Sequence, residues 1–337
     1  MNARASSASR LKPRGSNQAG LGQFNERVVL QTIRLHGPLP KAELARLTGL
    51  TAQTVATIIT RLEEAALVRK CTPLRGRVGQ PSVPIALCAD GAYSIGIKVG
   101  RKSLELLLVD FLGTPCQRAQ THYDYPEPAP VLAAIDAGLH ALRQWLGSQR
   151  LPRLLGIGIA APLSLGGWQS LLGVDGRRAA AWHGIDLRER VQQLSGLPTS
   201  SLKDTAAAAL AELIGGRGRS LPSFLYVFVG TFIGGALVLD SNLRHGISGN
   251  AGAIGSLSLG AARPGAARPP QLLSEASLFT LEAMYERAGL DGGATTDARA
   301  LAAPWRAATD AWLAAAAPAV ALALHDVVAA LQQGLAD

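Results

Sequence analysis

The sequence predicts two unlike parts: a mainly α winged helix-turn-helix at the front and an α/β body of two lobes behind it. Three observations carry this expectation. Residues 1–80 hold 13 Lys and Arg against 4 Asp and Glu, whereas residues 81–337 hold 20 against 20, so the whole formal charge of +9 lies at the N-terminal end. Inside that basic region two apolar stripes at helical spacing flank a glycine turn, and beyond residue 90 short apolar strands alternate with helical stretches. A chain of 337 residues has room for two or three domains. The boundaries expected are a flexible basic tail over 1–20, a DNA-binding module over 21–88 and a body over 89–337.

The opening MNARASSASRLKPRGSNQAG is rich in Ser, Arg and Gly and has almost nothing apolar to bury, so it is expected to be a tail. It also lacks the apolar centre of a signal peptide. From Asn25 to His36 the spacing of Val28, Val29, Leu30, Ile33 and Leu35 predicts a helix, which Gly37-Pro38 ends. A second helix over Lys41–Leu47 is expected to turn Leu44 and Leu47 inward. TGLT (48–51) then reverses the chain, and Thr51 can cap a third helix in which Val55, Ile58, Ile59 and Leu62 form the packed face.

The opposite face of that helix begins with Thr51, Gln53, Thr54 and Thr57. In a helix-turn-helix the second helix of the motif enters the major groove with its first residues toward the base edges. Gln can bond an adenine edge with both amide atoms, and a Thr methyl can meet a thymine methyl. Arg61 further along suits phosphate, and the stretch LVRKCTPLRGRVGQPS (67–82) reads as a β-wing with Arg75 and Arg77 near the backbone or minor groove. The candidate DNA contacts are thus Lys41, Thr51, Gln53, Thr54, Thr57, Arg61, Arg75 and Arg77. Clustered cations on one module are favoured by counterion release from a polyphosphate partner.

In the body, strands are expected at 94–99, 104–111, 154–160, 224–229 and 235–240, and helices at 130–147, 186–194 and 204–215. Glycine-turn hairpins at Gly100 and in VGTFIGGALVLD (229–240) occupy comparable strand contexts, which suggests two related lobes with a cleft between them. The cysteines Cys71, Cys88 and Cys116 form no CxxC pair, so neither a disulfide framework nor a zinc cluster is expected. The Ala-rich run Leu313–Leu324 is interrupted by Pro318 and is too short to span a bilayer, which leaves a cytoplasmic protein as the expectation.

The order of GPLPKAELARLTGLTAQTVATIITRLEEAALV (37–68), GRVGQPS, the hairpin at 95–110, GIGIAAP (156–162), KDTAAAALAE (203–212), VGTFIGGALVLD and GNAGAIGS (249–256) resembles the ROK family of bacterial repressors and sugar kinases, in its branch with an N-terminal winged helix-turn-helix. The resemblance runs from about residue 20 to about residue 285. It implies an actin-like, two-lobed body of the sugar-kinase type.

Against the kinases of that family the chain departs at the positions that carry chemistry. Where they place an Asp for the metal-bound phosphates and a Thr after the glycines, this sequence has Lys98 and Lys102. An ammonium cannot ligate magnesium, which demands oxygen donors. Lys98, Arg101 and Lys102 are then either a solvated turn or an anion site. Asp204 occupies the family's catalytic-base position, but Lys203 replaces the Asn beside it. Ala253 and Ser256 stand where a Glu and a zinc-binding His are expected, Leu273 stands near the second sugar-binding Glu, and the zinc loop corresponds to GAARPGAARPPQLLSEASL (260–278), without Cys or His. The chain stops at LQQGLAD, before the glycine pair that supports adenosine in the kinases.

Losing several such groups should remove phosphoryl transfer, which depends on positioning and charge stabilisation. The reading is therefore a sequence-specific DNA-binding repressor with a degenerate kinase-like body that senses a sugar or sugar derivative. It would act on a palindromic operator as a homodimer or homotetramer, with no catalytic residue, no cofactor, no metal and no membrane partner. Effector contacts are expected from Trp182, His183, Asp186, Lys203, Asp204 and Asn250, with Trp182 free either to stack on a ligand or simply to pack. The competing reading is an active sugar kinase with an appended DNA module.

Overall fold

A computed structural model of the protein describes residues 18–73, 83–165, 173, 175–261 and 269–334. The chain divides into two compact units, the first comprising the described residues up to Ser94 with Val109–Cys116 and Gly147–Leu155, the second the remainder.

The first unit is built on three helices, α1 (Gln18–His36), α2 (Lys41–Thr48) and α3 (Ala52–Glu64), and a small sheet of β1 (Leu39–Pro40), β2 (Val68–Lys70) and β3 (Pro84–Leu87) in the order β1-β3-β2. Both pairings are antiparallel, Leu39 opposite Ile85 and Val68 opposite Leu87. Val29, Ile33, Leu44, Val55, Ile58, Ile59, Leu62, Val68, Ile85 and Leu87 make one buried cluster, so all three helices and both wing strands share a core. Three helices with a two-stranded wing is the winged helix-turn-helix.

The inward assignment of Leu47 fails, and Leu35 of the α1 stripe is also outside: each is 37% exposed. At 3.6 residues per turn Leu35 lies about 200° around from Ile33, and Leu47 about 60° from Leu44 at the rim of a two-turn helix. Helix α1 also begins at Gln18, earlier than the periodic residues alone indicate. Gly49 closes α2 in the left-handed conformation (φ 69°), which lets the chain turn sharply into α3.

Two further sheets draw most of their residues from the second unit. A five-stranded sheet has the order β6-β5-β4-β7-β8, from β4 (Tyr93–Val99), β5 (Ser103–Asp110), β6 (Pro115–His122), β7 (Leu154–Ala161) and β8 (Thr199–Lys203). β7 and β8 run parallel, which requires the crossover supplied between them by α5 (Gly176–Ala180) and α6 (Leu187–Ser195). A three-stranded antiparallel sheet follows, with β10 (Gly234–Leu239) between β9 (Phe224–Phe228) and β11 (Asn242–Arg244). Helix α4 (Pro128–Arg150) precedes β7, and α7 (Asp204–Gly215) leads directly out of β8.

The strands β6, β8 and β11, which periodicity did not mark, are all sheet edges. Their side chains are mostly solvated, as in the pattern of PCQRAQTH, so no buried face imposes an alternation of apolar residues.

Helices α8 (Leu272–Ala276), α9 (Leu278–Arg287) and α10 (Arg306–Gly334) complete this unit around a core of Ile233, Ile254, Leu272, Leu281, Tyr285, Trp312, Ala316 and Ala323. The fully buried Tyr285 hydroxyl pairs with Thr309 Oγ1 at 2.6 Å, and the threonine hydroxyl also donates to the Ala300 carbonyl. α10 corrects the expectation of an interrupted run, because the helix continues through Pro318. Arg306–Gln332 is long and apolar enough to cross a membrane by length and composition, an 18-residue stretch within it having a mean hydropathy of 1.8. Trp312, Ala316 and Ala323 nevertheless place one face of it in the core.

Candidate nucleic-acid interface and ligand cavities

In the first unit, the start of α3 is fixed by its cap. Thr51 Oγ1 accepts from the Thr54 N–H at 3.1 Å, and the two threonine hydroxyls lie 2.8 Å apart. The cap satisfies one of the N–H groups that a helix leaves unpaired at its start. With Val55, Ile58, Ile59 and Leu62 buried, the opposite face exposes Gln53, Thr57, Thr60 and Arg61, while Thr54 is half-buried. Thr57 and Thr60 donate back to the Gln53 and Ala56 carbonyls, which commits their hydroxyl protons and leaves their methyls and the oxygens' acceptor capacity.

Arg61 is held by Glu26 of α1 at 3.0 Å. Lys41 stands half-buried at the first position of α2. Arg75 and Arg77 lie outside the described residues; the strands on either side of them in sequence, β2 and β3, are paired. Sequence reasoning passed over the exposed Arg69 and Lys70 on β2, the latter ion-paired with Glu63 at 3.2 Å, and the exposed Thr60. Arg34 was also missed: it donates to the Phe111 carbonyl at 2.6 Å and lies over that ring at 5.3 Å. No local pattern announces a partner 77 residues away in sequence.

The second unit holds two adjoining cavities. One, of about 440 Å³, is lined by Trp182, His183, Asp186, Arg188, Lys203 and His245 among others. The larger, of about 810 Å³, is lined by Lys98, Arg101, Lys102, Lys203, Asp204, Asn250 and Glu282 among others. Lys203 and the Pro162–Ser164 segment belong to both, so the six expected effector residues divide between two pockets that meet at Lys203.

Their roles differ from one another. Trp182 is buried and its indole N–H donates to the Pro126 carbonyl at 2.6 Å, so the residue packs as well as lining the cavity. Asp186 caps α6 by accepting from the Glu189 N–H at 3.0 Å and faces Arg188 at 3.6 Å. Asp204 opens α7 and accepts from the Thr205 N–H at 2.7 Å. Lys203 Nζ donates to Asn250 Oδ1 at 2.7 Å, and burial pushes its pKa down, against a smaller upward pull from Asp204.

In the motif GNAGAIGS, Gly252 lies tight against β10. A Cβ on Gly252 would stand 2.8 Å from Ala236 C, and φ is +76° there; a Cβ on Gly235 would stand 2.7 Å from the Gly252 carbonyl oxygen. That close approach brings Asn250, Ala253 and Ser256 to the wall of the larger cavity. Leu273 lines it too, so the positions where acidic and imidazole groups were expected and not found do face one cavity. The zinc-loop segment 262–268 lies outside the described residues.

The cationic hairpin is more than a solvated turn. Arg101 Nη2 lies 2.5 Å from Glu282 Oε2, and Lys102 Nζ bonds the other oxygen of the same carboxylate. Lys98 lies 3.7 Å from Glu105. Glu282, 181 residues from Arg101, could not be recognised from sequence spacing.

Comparison with known proteins follows the same division. Residues 94–268 match the ROK family, and residues 25–69 match the winged helix-turn-helix DNA-binding family. Among curated relatives, the xylose repressor of Bacillus subtilis is 25% identical over 245 residues, covering 72% of this chain and 62% of its own length. A transcriptional regulator of Mycobacterium bovis is 28% identical over 232 residues, covering 66% of this chain and 50% of its own length. The chain thus spans less than two thirds of the length of these curated relatives. Among solved structures, a ROK family transcriptional regulator, a homologue of the E. coli MLC protein, superposes with a TM-score of 0.60 at 22% identity over 80% of this chain and 68% of its own. A ROK family glucokinase from Streptomyces griseus, solved with glucose and AMPPNP, superposes with a TM-score of 0.53 at 21% identity over 71% of this chain and 80% of its own. These likenesses establish the actin-like, sugar-kinase-type fold of the body.

Proposed function

This chain belongs to the ROK family, and on that premise we propose that it is a sequence-specific DNA-binding transcriptional repressor whose body binds a sugar-like effector and does not phosphorylate it. The observation that carries the reading is the tip of α3: a capped helix start whose inner face is packed and whose outer face presents Gln53 and Thr57 to solvent. Such a tip suits base edges, while Lys41, Arg69, Arg75 and Arg77 suit phosphate. Arg61 would reach phosphate by exchanging its bond to Glu26.

The relatives named as a xylose repressor and a transcriptional regulator support this assignment, as does the match of residues 25–69 to a DNA-binding family. A symmetric dimer or tetramer would set two α3 tips on half-sites about 10 bp or a multiple apart, hence a palindromic operator. Ligand bound at the Lys203 junction would act by favouring one of two conformations with different operator affinity.

One observation favours a second reading, an active sugar kinase: Asp204, at the family's base position, lines the larger cavity. Against it, Lys98 and Lys102 occupy the phosphate-organising positions and are engaged by Glu105 and Glu282. Two assays on the purified chain separate the readings. Titration of labelled upstream DNA should give saturable binding that a Gln53→Ala, Thr54→Ala double variant loses. Coupled ATP turnover over a hexose and pentose panel should stay at background; turnover abolished by Asp204→Asn would establish the kinase instead.

A further inference from the structure

The charges that line the two cavities are nearly all committed to partners. Arg101 and Lys102 share Glu282, Lys98 faces Glu105, and Arg188 faces Asp186. Lys203, at the junction of the two spaces, is different. Its ammonium has three donors, and the group it bonds among the described residues is a neutral amide oxygen, that of Asn250. Among the described residues it forms no ion pair, although Asp204 is its neighbour in sequence; Asp204 Oδ1 accepts instead from the Thr205 N–H.

A half-buried cation without a bonded counter-charge is costly: burial lowers the pKa of Lys203, and the pull of the nearby Asp204 only partly offsets it. An incoming anion would offset it with charge-assisted hydrogen bonds, which are about twice as strong as neutral ones. The surrounding wall does not supply acidic groups to grip the hydroxyls of a neutral sugar from the GNAGAIGS side: Ala253, Ser256 and Leu273 face the larger cavity there. The smaller cavity, about 440 Å³, accommodates a monosaccharide and offers hydroxyl or imidazole partners from Ser164, Ser201, His183 and His245.

From this juxtaposition we propose that the ligand of this body is an anionic monosaccharide, a sugar acid or a sugar phosphate, whose carboxylate or phosphate oxygens bind Lys203 Nζ while its hydroxyls take the polar groups of the smaller cavity. The proposal rests on the sensor reading above and sharpens it to a ligand class.

Calorimetric titration of the full chain with D-glucuronate and with D-glucose 6-phosphate, each beside D-glucose and D-xylose, tests it. At least one anionic sugar should bind about tenfold or more tightly than its neutral parent, a difference of about 1.4 kcal/mol. Which of the two binds identifies the carboxylate or the phosphate as the source of the charge. Lys203→Asn should erase the preference and Lys203→Arg should keep it, with thermal unfolding of both unliganded variants confirming that they fold. Neutral sugars binding as tightly as the anions, no binding by either anion, or a preference that survives Lys203→Asn would overturn the proposal. Operator affinity measured in the same samples separates the two levels. Lys203-dependent anion binding that leaves operator affinity unchanged supports the ligand class and sinks the sensor role, whereas an operator response to neutral sugar alone keeps the sensor role and sinks the ligand class.

Discussion

At the scale of single residues, Thr51 and Gln53 occupy the same helix end and do different things. The Thr51 hydroxyl holds the helix start through the Thr54 N–H, whereas Gln53 is exposed and its side chain is free to meet a partner. Thr51→Ala should therefore cost about 1 kcal/mol of stability in denaturant unfolding. Gln53→Ala should change stability by less than about 0.5 kcal/mol while relaxing the base preference read from competition binding. Arg34 makes a third case. Its guanidinium donates to the Phe111 carbonyl and covers that ring, and Phe111 packs on the winged-helix core. Arg34→Ala should cost about 1–2 kcal/mol in the same unfolding measurement, with Arg34→Lys recovering only part, because a lysine cannot reproduce the planar fork over a ring. The cap was legible in the sequence because a threonine before an apolar stripe is a local signal. The Arg34–Phe111 and Arg101–Glu282 partners were not, since each joins residues far apart along the chain and only the fold brings them together.

At the scale of elements, what could be read was decided by burial. The Val55, Ile58, Ile59 and Leu62 stripe of α3 is wholly inside, and so it announced both the helix and its facing. The central strands β4 and β5 alternate in burial and were legible for the same reason. The edge strands β6, β8 and β11 bury little and left no periodic trace. Pro318 misled in the other direction, since an interruption was expected and the helix runs on. Ile58→Ala removes a side chain from the core shared by all three front helices and the wing. It should destabilise the front unit by about 2–5 kcal/mol and abolish DNA binding together with helical signal, unlike Gln53→Ala, which should spare the signal. Gly235→Ala would drive a Cβ to 2.7 Å from the Gly252 carbonyl oxygen. Loss of ligand binding with DNA binding retained is the expected outcome, by titration of each.

At the scale of the whole molecule, charge is segregated with function. The excess of Lys and Arg lies in residues 1–80 and the remainder is balanced, so DNA affinity should fall steeply with salt and ligand affinity should not. Replacing Arg69, Arg75 and Arg77 by Ala should weaken all DNA sequences alike and flatten the plot of log affinity against log salt by about 1 for each phosphate left unneutralised. The family and the two-part architecture were legible because their motifs are local and ordered; the junction at Lys203 was legible only as a substitution, and its meaning waited on the placement of Asn250, Asp204 and the two cavities around it. The central claim is that the α3 tip reads bases, and selection of bound duplexes from a random DNA pool tests it most directly. Wild-type protein should enrich a two-fold symmetric site, and the Gln53→Ala, Thr54→Ala variant should lose that enrichment while still retaining weak, salt-sensitive binding. A pool that stays random with wild-type protein, or one that converges on the same site with the double variant, would contradict the account.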